Sequence, residues 1–236
     1  MNLNTVFRGP ATIDPARLVL TTPPKVEPYT YSSPVVQQIL RLDDSTQDNE
    51  FVNLCFSAAR MYFERVTNLC LISQGWTLYQ DEIPLRQGQY GIEYGLAPSM
   101  SRFTGTAAGR EIILARGPLA SVDAFKYLDQ NGTLQTWASS NFTVGNVGVE
   151  TAYGRLWLNE DGDWPDVGSF PNALQVTFTA GFGATVDTIP AHIRMALLQL
   201  GTYWYEHRLP INDSGLVMLP MHLEALITSC KLSFCA

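Results

Sequence analysis

The sequence predicts an α+β fold, a small helical bundle with an inserted antiparallel β block. Apolar residues recur at steps of three and four in two long segments, near 50–69 and 190–208, which is typical of amphipathic helices. Short segments with the alternating polarity of strands occupy about 74–183 between them. A run of strands between helices is typical of α+β proteins and not of alternating α/β ones.

The first 34 residues differ in composition from the rest. They contain six of the 14 prolines, and proline fixes φ and removes a backbone donor. We therefore expect residues 1–34 to form an extended arm that is not packed as an element, next to a domain over 35–236. The arm is either a mobile terminus or a segment that lies on a neighbouring subunit.

The first helices follow from their capping residues. Pro34 can open a short helix over 35–40. Asp48 is the expected N-cap of the long helix, and Glu50 lies in its first turn, where the helix dipole favours an anion. The predicted buried stripe of this helix excludes Arg60, Glu64 and Arg65 and contains Phe51, Leu54, Cys55, Ala58, Tyr62, Val66 and Leu69.

The β block is predicted from alternation and from turn residues. Asn131-Gly132 is a strong hairpin signal between strands over 122–128 and 133–137. Further strands are expected at 76–79, 111–115, 142–144, 153–158 and 174–180. The segment 86–110 holds five glycines and is expected to be a long functional loop.

Two further helices complete the prediction. Gly181 ends the strand at 174–180, where a turn can use positive φ. Pro190 is expected at the first position of the second long helix, which ends near His207 and Arg208. Pro220 opens a last short helix with Leu223, Leu226 and Ile227 on one side.

Composition and motifs exclude several functions. The net charge of −7, from 15 basic and 22 acidic residues, argues against electrostatic capture of nucleic acid and against a basic membrane contact. No apolar run reaches the length of about 20 residues that a bilayer requires, and no secretory signal is visible. The four cysteines form no Cys-x-x-Cys pair, so buried thiols in a reducing compartment are expected.

No catalytic, cofactor-binding or metal-binding residue is predicted. The three histidines form no His-x-x-x-His pattern, and the acidic run at 159–166 lacks the spacing of a calcium loop. Trp76, Trp157 and Trp204 lie in periodic segments and are expected in the core. Trp164 lies in a turn, where it could stack on a partner.

The order of these segments over about 48–230 resembles the head–tail connector (adaptor) proteins of tailed bacteriophages. The resemblance rests on the helix at 51–67 (FVNLCFSAARMYFERVT), the segment RGPLASV at 116–122 and the hairpin YLDQNGT at 127–133. It is most specific at 173–208, where the strand segment PNALQVTFTAGFG at 171–183 precedes a helix that ends in WYEHR. The structural signature within this region comprises Gly181, Pro190, Trp204, Tyr205, Glu206 and Arg208.

The resemblance implies a non-enzymatic virion protein without cofactors, assembled in the host cytoplasm. Such connectors form a homo-oligomeric ring, with twelve subunits expected, below the portal protein. The ring extends the channel through which double-stranded DNA passes without specific binding, and it provides a platform for the stopper or tail protein. No membrane contact is implied.

The resemblance also implies candidate contacts. The portal contacts would lie in the C-terminal segment, at Leu223, Leu226, Lys231 and Phe234. Contacts with neighbouring subunits or the tail would involve aromatic loop residues, namely Tyr90, Tyr94, Phe103 and Trp164. The alternatives are another tail-completion or stopper-type virion protein and, third, a carboxylate-based hydrolase.

Overall fold

The computed structural model describes residues 17–42, 48–81, 111–159, 162–207, 211–212, 215–216 and 219–232. Its helices are α1 (Pro34–Leu40), α2 (Asn49–Thr67), α3 (Ala191–Glu206) and α4 (Met221–Ser229). Its strands are β1 (Leu18–Thr22), β2 (Gln74–Gln80), β3 (Glu111–Leu114), β4 (Leu119–Leu128), β5 (Leu134–Thr136), β6 (Phe142–Gly145), β7 (Gly154–Leu158), β8 (Leu174–Ala180), β9 (Ile211–Asn212) and β10 (Gly215–Leu216). The α+β prediction is confirmed, with strands β2 to β8 between the long helices α2 and α3.

Two antiparallel sheets form the β block. The larger sheet has the strand order β1-β2-β8-β4-β5, and the smaller one has the order β3-β7-β6. Strand β8 lies at the centre of the larger sheet, and its residues alternate between buried and half-buried positions, as the sequence pattern predicts. The sheets share one apolar cluster, to which Phe125 and Phe178 of the larger sheet and Leu156 of the smaller one contribute.

The hairpin between β4 and β5 is also confirmed. Gly132 has φ +76°, which a residue with a side chain adopts only under strain. The Asp129 carboxylate accepts hydrogen bonds from the backbone N–H groups of Asn131 and Thr133, both at 2.9 Å. This side chain therefore stabilises the turn that sets the register of the two strands.

A second apolar cluster joins the helices. Phe56 and Phe63 of α2, Leu197 and Leu200 of α3, and Ile227 of α4 are all buried in it. None of the helices in the described part of the chain is long and apolar enough to cross a membrane. The glycine-rich segment 86–110, with Tyr90, Tyr94 and Phe103, lies outside the described residues.

The prediction of an unpacked arm over 1–34 is wrong for residues 17–34. Strand β1 pairs with β2 in the larger sheet, with Leu18 opposite Leu78. The Tyr29 ring is buried against Phe56, with 6.1 Å between the ring centroids. The prolines flank the strand instead of interrupting it, so they leave its backbone pairing intact. Residues 1–16 lie outside the described residues.

The prediction of which face of α2 is buried is also wrong. The bounds of the helix agree with the prediction, but Leu54 is 65% exposed, and the charged Arg60 and Glu64 are buried. The buried face contains Val52, Cys55, Phe56, Ala59, Arg60, Phe63, Glu64 and Thr67. The helix is apolar on most of its circumference, so spacing alone does not determine which side packs inward.

Candidate functional site

The structure offers no site for metal chemistry in the ranges it describes. No group of three or more His, Cys, Asp or Glu residues there could hold a metal ion. Burial raises the pKa of the Cys70 thiol to about 12, so this cysteine stays protonated at neutral pH and is a poor nucleophile.

Two of the signature residues, Gly181 and Pro190, lie at the ends of secondary-structure elements. Gly181 ends β8 with φ +137°, and a Cβ atom there would lie 2.7 Å from the backbone carbonyl of Ile72. The sequence predicts Pro190 as the first residue of α3. It is instead the N-cap, so the helix begins one residue later, at Ala191. Glu206 is exposed, and Arg208 lies outside the described residues.

The aromatic pair Trp204 and Tyr205 attaches the end of α3 to α2. The Trp204 ring meets Tyr62 edge-on at a centroid distance of 5.7 Å. The Tyr205 hydroxyl donates a hydrogen bond to Asp48 Oδ2 at 2.6 Å, and its ring lies 5.9 Å from Phe51. Asp48 is the N-cap of α2 in position, but its carboxylate binds this tyrosine and not the helix N–H groups. The pair is therefore structural.

The predicted portal contacts fall into different environments. Leu223 is 2% exposed and belongs to the helical core, so it is not an accessible contact. Leu226 is half-buried against the same core, and Lys231 is exposed. Phe234 lies outside the described residues. The α4 surface that remains open to a partner includes Met221, which is 86% exposed.

Trp164 packs within its own chain instead of extending from the surface. Its ring lies 5.3 Å from Trp137 and 6.3 Å from Phe125, and it is half-buried beside the β core. It therefore closes one side of the aromatic cluster. Trp76, Trp157 and Trp204 are half-buried and not fully in the core, while Trp137 is 8% exposed.

The outer face of α2 is an apolar surface that includes Leu54, Ala58 and Tyr62, which the sequence predicted to be buried. Leu54, Met61 and Tyr62 are 65%, 61% and 39% exposed, and the half-buried Ala58 lies among them. These four residues, the α2 outer face, share one side of the helix because they are spaced by three, four, seven and eight positions. A row of large exposed apolar side chains indicates a site of protein contact.

A groove of about 410 Å³ lies beside this face, between α2 and the edge of the larger sheet. Its apolar walls include Leu20 of β1, Met61 of α2 and Trp76 of β2. Three arginines, Arg60, Arg65 and Arg116, and one glutamate, Glu64, also line it. We call it the basic groove, because it gathers positive charge in a chain whose net charge is −7.

A network of buried hydrogen bonds forms the floor of the basic groove. The Arg60 guanidinium donates to Glu27 Oε2 at 2.8 Å and to Glu64 Oε2 at 2.7 Å. Glu64 Oε1 accepts from the Leu71 backbone N–H at 2.9 Å and from Gln74 Nε2 at 2.7 Å. Burial raises the pKa of Glu64, and the charge of Arg60 opposes that rise.

The other two arginines of the groove differ in how they are held. Arg116 Nη1 donates to the Glu64 backbone carbonyl at 2.8 Å, and the guanidinium lies over the Trp76 ring, 4.8 Å from its centroid. Of the three arginines of the groove, Arg65 is the exposed one, and it has no ion pair within the described ranges.

Comparison with known proteins identifies the fold. No protein-family model matches the sequence, and no curated protein matches it. A chain from the neck of an empty GTA particle, computed with C6 symmetry, has a TM-score of 0.65 and 20% identity over 93% of this chain and 97% of that one. A chain from the virion of a native gene transfer agent (GTA) particle has a TM-score of 0.63 and 21% identity over the same shares.

A chain from the neck of a native GTA particle, computed with C12 symmetry, is similar as well. Its TM-score is 0.60 at 19% identity, over 92% of this chain and 98% of that one. At these identities the likeness shows a shared fold. Because nearly the whole of each chain is covered, the two chains share the bundle and the β block together and not one motif alone.

Proposed function

We propose that this chain is a structural virion protein of the head–tail neck, a connector that forms a homo-oligomeric ring below the portal. The observation that carries the proposal is the fold, which this chain shares over more than nine-tenths of its length with chains from particle necks. In this role the chain has no catalytic activity. It extends the DNA channel and provides a docking platform for the stopper or tail protein.

The charge and the surface of the chain support a ring. Twelve copies at −7 each would carry about −84. Basic surfaces bind DNA because the contact releases counterions, and an acidic lumen would not hold DNA in the channel in this way. The charged share of 16% is below the roughly 25% that is usual. A subunit with two flanks buried against its neighbours needs less charge for solubility, and in a ring those flanks are two different surfaces.

We assign the α2 outer face to the contact between subunits. In the free chain it leaves Leu54 and Met61 largely in water, and a second copy would remove them from it. Full burial of either side chain would stabilise the contact by about 1.5–3 kcal/mol. The proposed portal contact through the exposed side of α4 presupposes this ring.

The double variant Leu54→Asn/Met61→Gln tests the assignment. The chain is produced together with the portal protein of the same genome, and the complex is imaged by electron microscopy. We expect wild-type chain to add a ring to the portal and the double variant to leave the portal bare. Because both side chains are exposed, the free energy of unfolding should change by less than about 0.5 kcal/mol for each substitution.

Ile39→Gln is the matched control, since Ile39 is an exposed apolar residue of α1 outside the assigned contact. It should leave the ring intact. A wild-type chain that associates with a tail protein and not with the portal would favour a tail-completion or stopper role. Rings that form equally well with the double variant would remove the α2 outer face from the contact.

A further inference from the structure

An acidic surface lies at the edge of the larger sheet that is farthest from the basic groove. It consists of Asp129 in the β4–β5 hairpin and of the exposed Asp163 and Asp166 in the segment before β8. Gln130 Nε2 donates to Asp166 Oδ1 at 2.9 Å, which holds this segment against the hairpin. Exposed apolar side chains accompany the carboxylates, with Leu134 at 46% and Phe170 at 37%. We call this surface the acidic edge.

The basic groove and the acidic edge cannot meet within one molecule. The groove adjoins β1 and the acidic edge adjoins β5, which are the two outer strands of the larger sheet. Four strand spacings of about 4.8 Å place these strands about 19 Å apart. The surfaces also lie at opposite strand ends, because the groove is near Trp76 at the start of β2, whereas the hairpin is near Leu174, which pairs with Gln80 at the end of β2.

We propose that the acidic edge of one copy of this chain binds in the basic groove of the next copy, and that this contact joins the subunits head to tail. The inference rests on the proposed ring and names the two surfaces that build it. A heterologous contact requires two different, complementary surfaces on one subunit, placed so that they cannot satisfy each other internally. The described part of the chain has this arrangement.

The two surfaces match in charge. On the groove side Arg65 is exposed, so a carboxylate can approach its guanidinium group. On the other side Asp163 and Asp166 are exposed. Hydrogen bonds between a guanidinium and a carboxylate are about twice as strong as those between neutral groups. Opposite charge also steers the two copies into one register and disfavours contacts between two grooves.

The apolar residues favour a second copy over a free anion as the occupant. Leu20, Met61 and Trp76 form walls that an inorganic anion would leave in contact with water. Phe170 and Leu134 accompany the carboxylates of the acidic edge and can cover such walls. The α2 outer face continues directly from the groove, because Met61 belongs to both. One flank of the subunit therefore holds the groove together with this helix face.

Charge reversal tests the contact in the full-length chain. Arg65→Glu and Asp166→Arg are each prepared alone, and ring formation is measured by native mass spectrometry and sedimentation velocity over a range of protein concentrations. Like charges then face each other across every contact, and we expect the association to weaken by roughly 30-fold or more for either variant. Asp163→Arg is a second acidic-edge variant with the same expectation.

Mixing the two variants gives the sharper result. In an alternating ring, the carboxylate introduced by Arg65→Glu would face the guanidinium introduced by Asp166→Arg in every second contact. The remaining contacts would pair the native Arg65 with the native Asp166. An equimolar mixture should therefore form rings with an even number of subunits, although neither variant forms them alone. The exposed, matched controls Arg41→Glu and Glu150→Arg should assemble like wild type.

The outcomes separate this contact from the proposed function. If wild-type chain forms rings and the charge reversals do not weaken them, the contact is wrong and the ring function stands. If the variants fail to assemble and their mixture does not recover, the groove binds something other than the acidic edge of a second copy. Wild-type chain that forms no ring by itself or on the portal contradicts both proposals.

Discussion

Replacing Arg60 with methionine is expected to lower the free energy of unfolding by about 3–5 kcal/mol, because it leaves a buried carboxylate without its cation. Arg60 and Glu64 are both 9% exposed, and the guanidinium also binds Glu27 through Nε and Nη2. Methionine keeps much of the length and apolar volume of the side chain, so the loss reports on the charge and its hydrogen bonds. Urea denaturation followed by tryptophan fluorescence gives the value.

The dependence of this loss on pH has a definite sign. Without Arg60, the pKa of Glu64 rises further, since burial already raises it and the opposing charge has been removed. Protonated Glu64 carries no buried charge, so the variant recovers stability below the new folded-state pKa and loses it as the pH rises through that value. We expect the difference from wild type to be smallest in acid, where Glu64 is protonated in both the folded and the unfolded chain, and to increase as the pH rises.

Two further variants complete this test. Arg60→Met combined with Glu64→Gln should recover part of the loss, because the double variant has no unpaired charge. Arg65→Met is the matched control on the same helix and should change stability by about 0.5 kcal/mol or less, as Arg65 is exposed. If Arg60→Met costs as little as Arg65→Met, the buried network does not hold the floor of the groove.

The second large effect is expected where α3 packs against α2 at Gly201. A Cβ atom at Gly201 would lie 2.4 Å from Cε1 and 2.5 Å from Cδ1 of Phe56. Phe56 is 1% exposed, so its ring has no free space to enter. Gly201→Leu should therefore force the helices apart and cost about 3 kcal/mol.

Gln199→Leu is the matched control, since it introduces the same side chain on the exposed side of α3. It should change stability by about 0.5 kcal/mol or less. Truncating the opposing ring, in Gly201→Leu combined with Phe56→Ala, should recover part of the loss because the new side chain can occupy the vacated volume. A melting temperature of Gly201→Leu equal to that of wild type would show that the helices do not pack at this distance.

Local patterns in the sequence predicted the elements of the fold well. Leu174–Ala180 alternates because one of its faces lies on the apolar cluster, and that requirement is visible residue by residue. The Asn131-Gly132 turn depends on positive φ at glycine, which is also local. The start of α2 follows from the polar residues before it, whereas the predicted stripe continues to Leu69, two residues beyond the end of the helix at Thr67.

What the sequence did not predict depends on distant partners. Arg60 can be buried because Glu27, 33 positions earlier, accepts its hydrogen bonds, and no pattern within the helix records this. Strand β1 was missed because the prolines around it indicated an open arm, whereas its pairing with β2 determines its structure. The basic groove combines β1, α2, β2 and Arg116, so it exists only in three dimensions.

A cryo-EM reconstruction of the neck in particles made by the organism that encodes this chain tests the central claim most directly. We predict a rotationally symmetric ring of this fold immediately below the portal, with the basic groove of each subunit facing the acidic edge of the next. A neck that contains no copy of the chain, or in which it occurs away from the portal without rotational symmetry, would contradict the account.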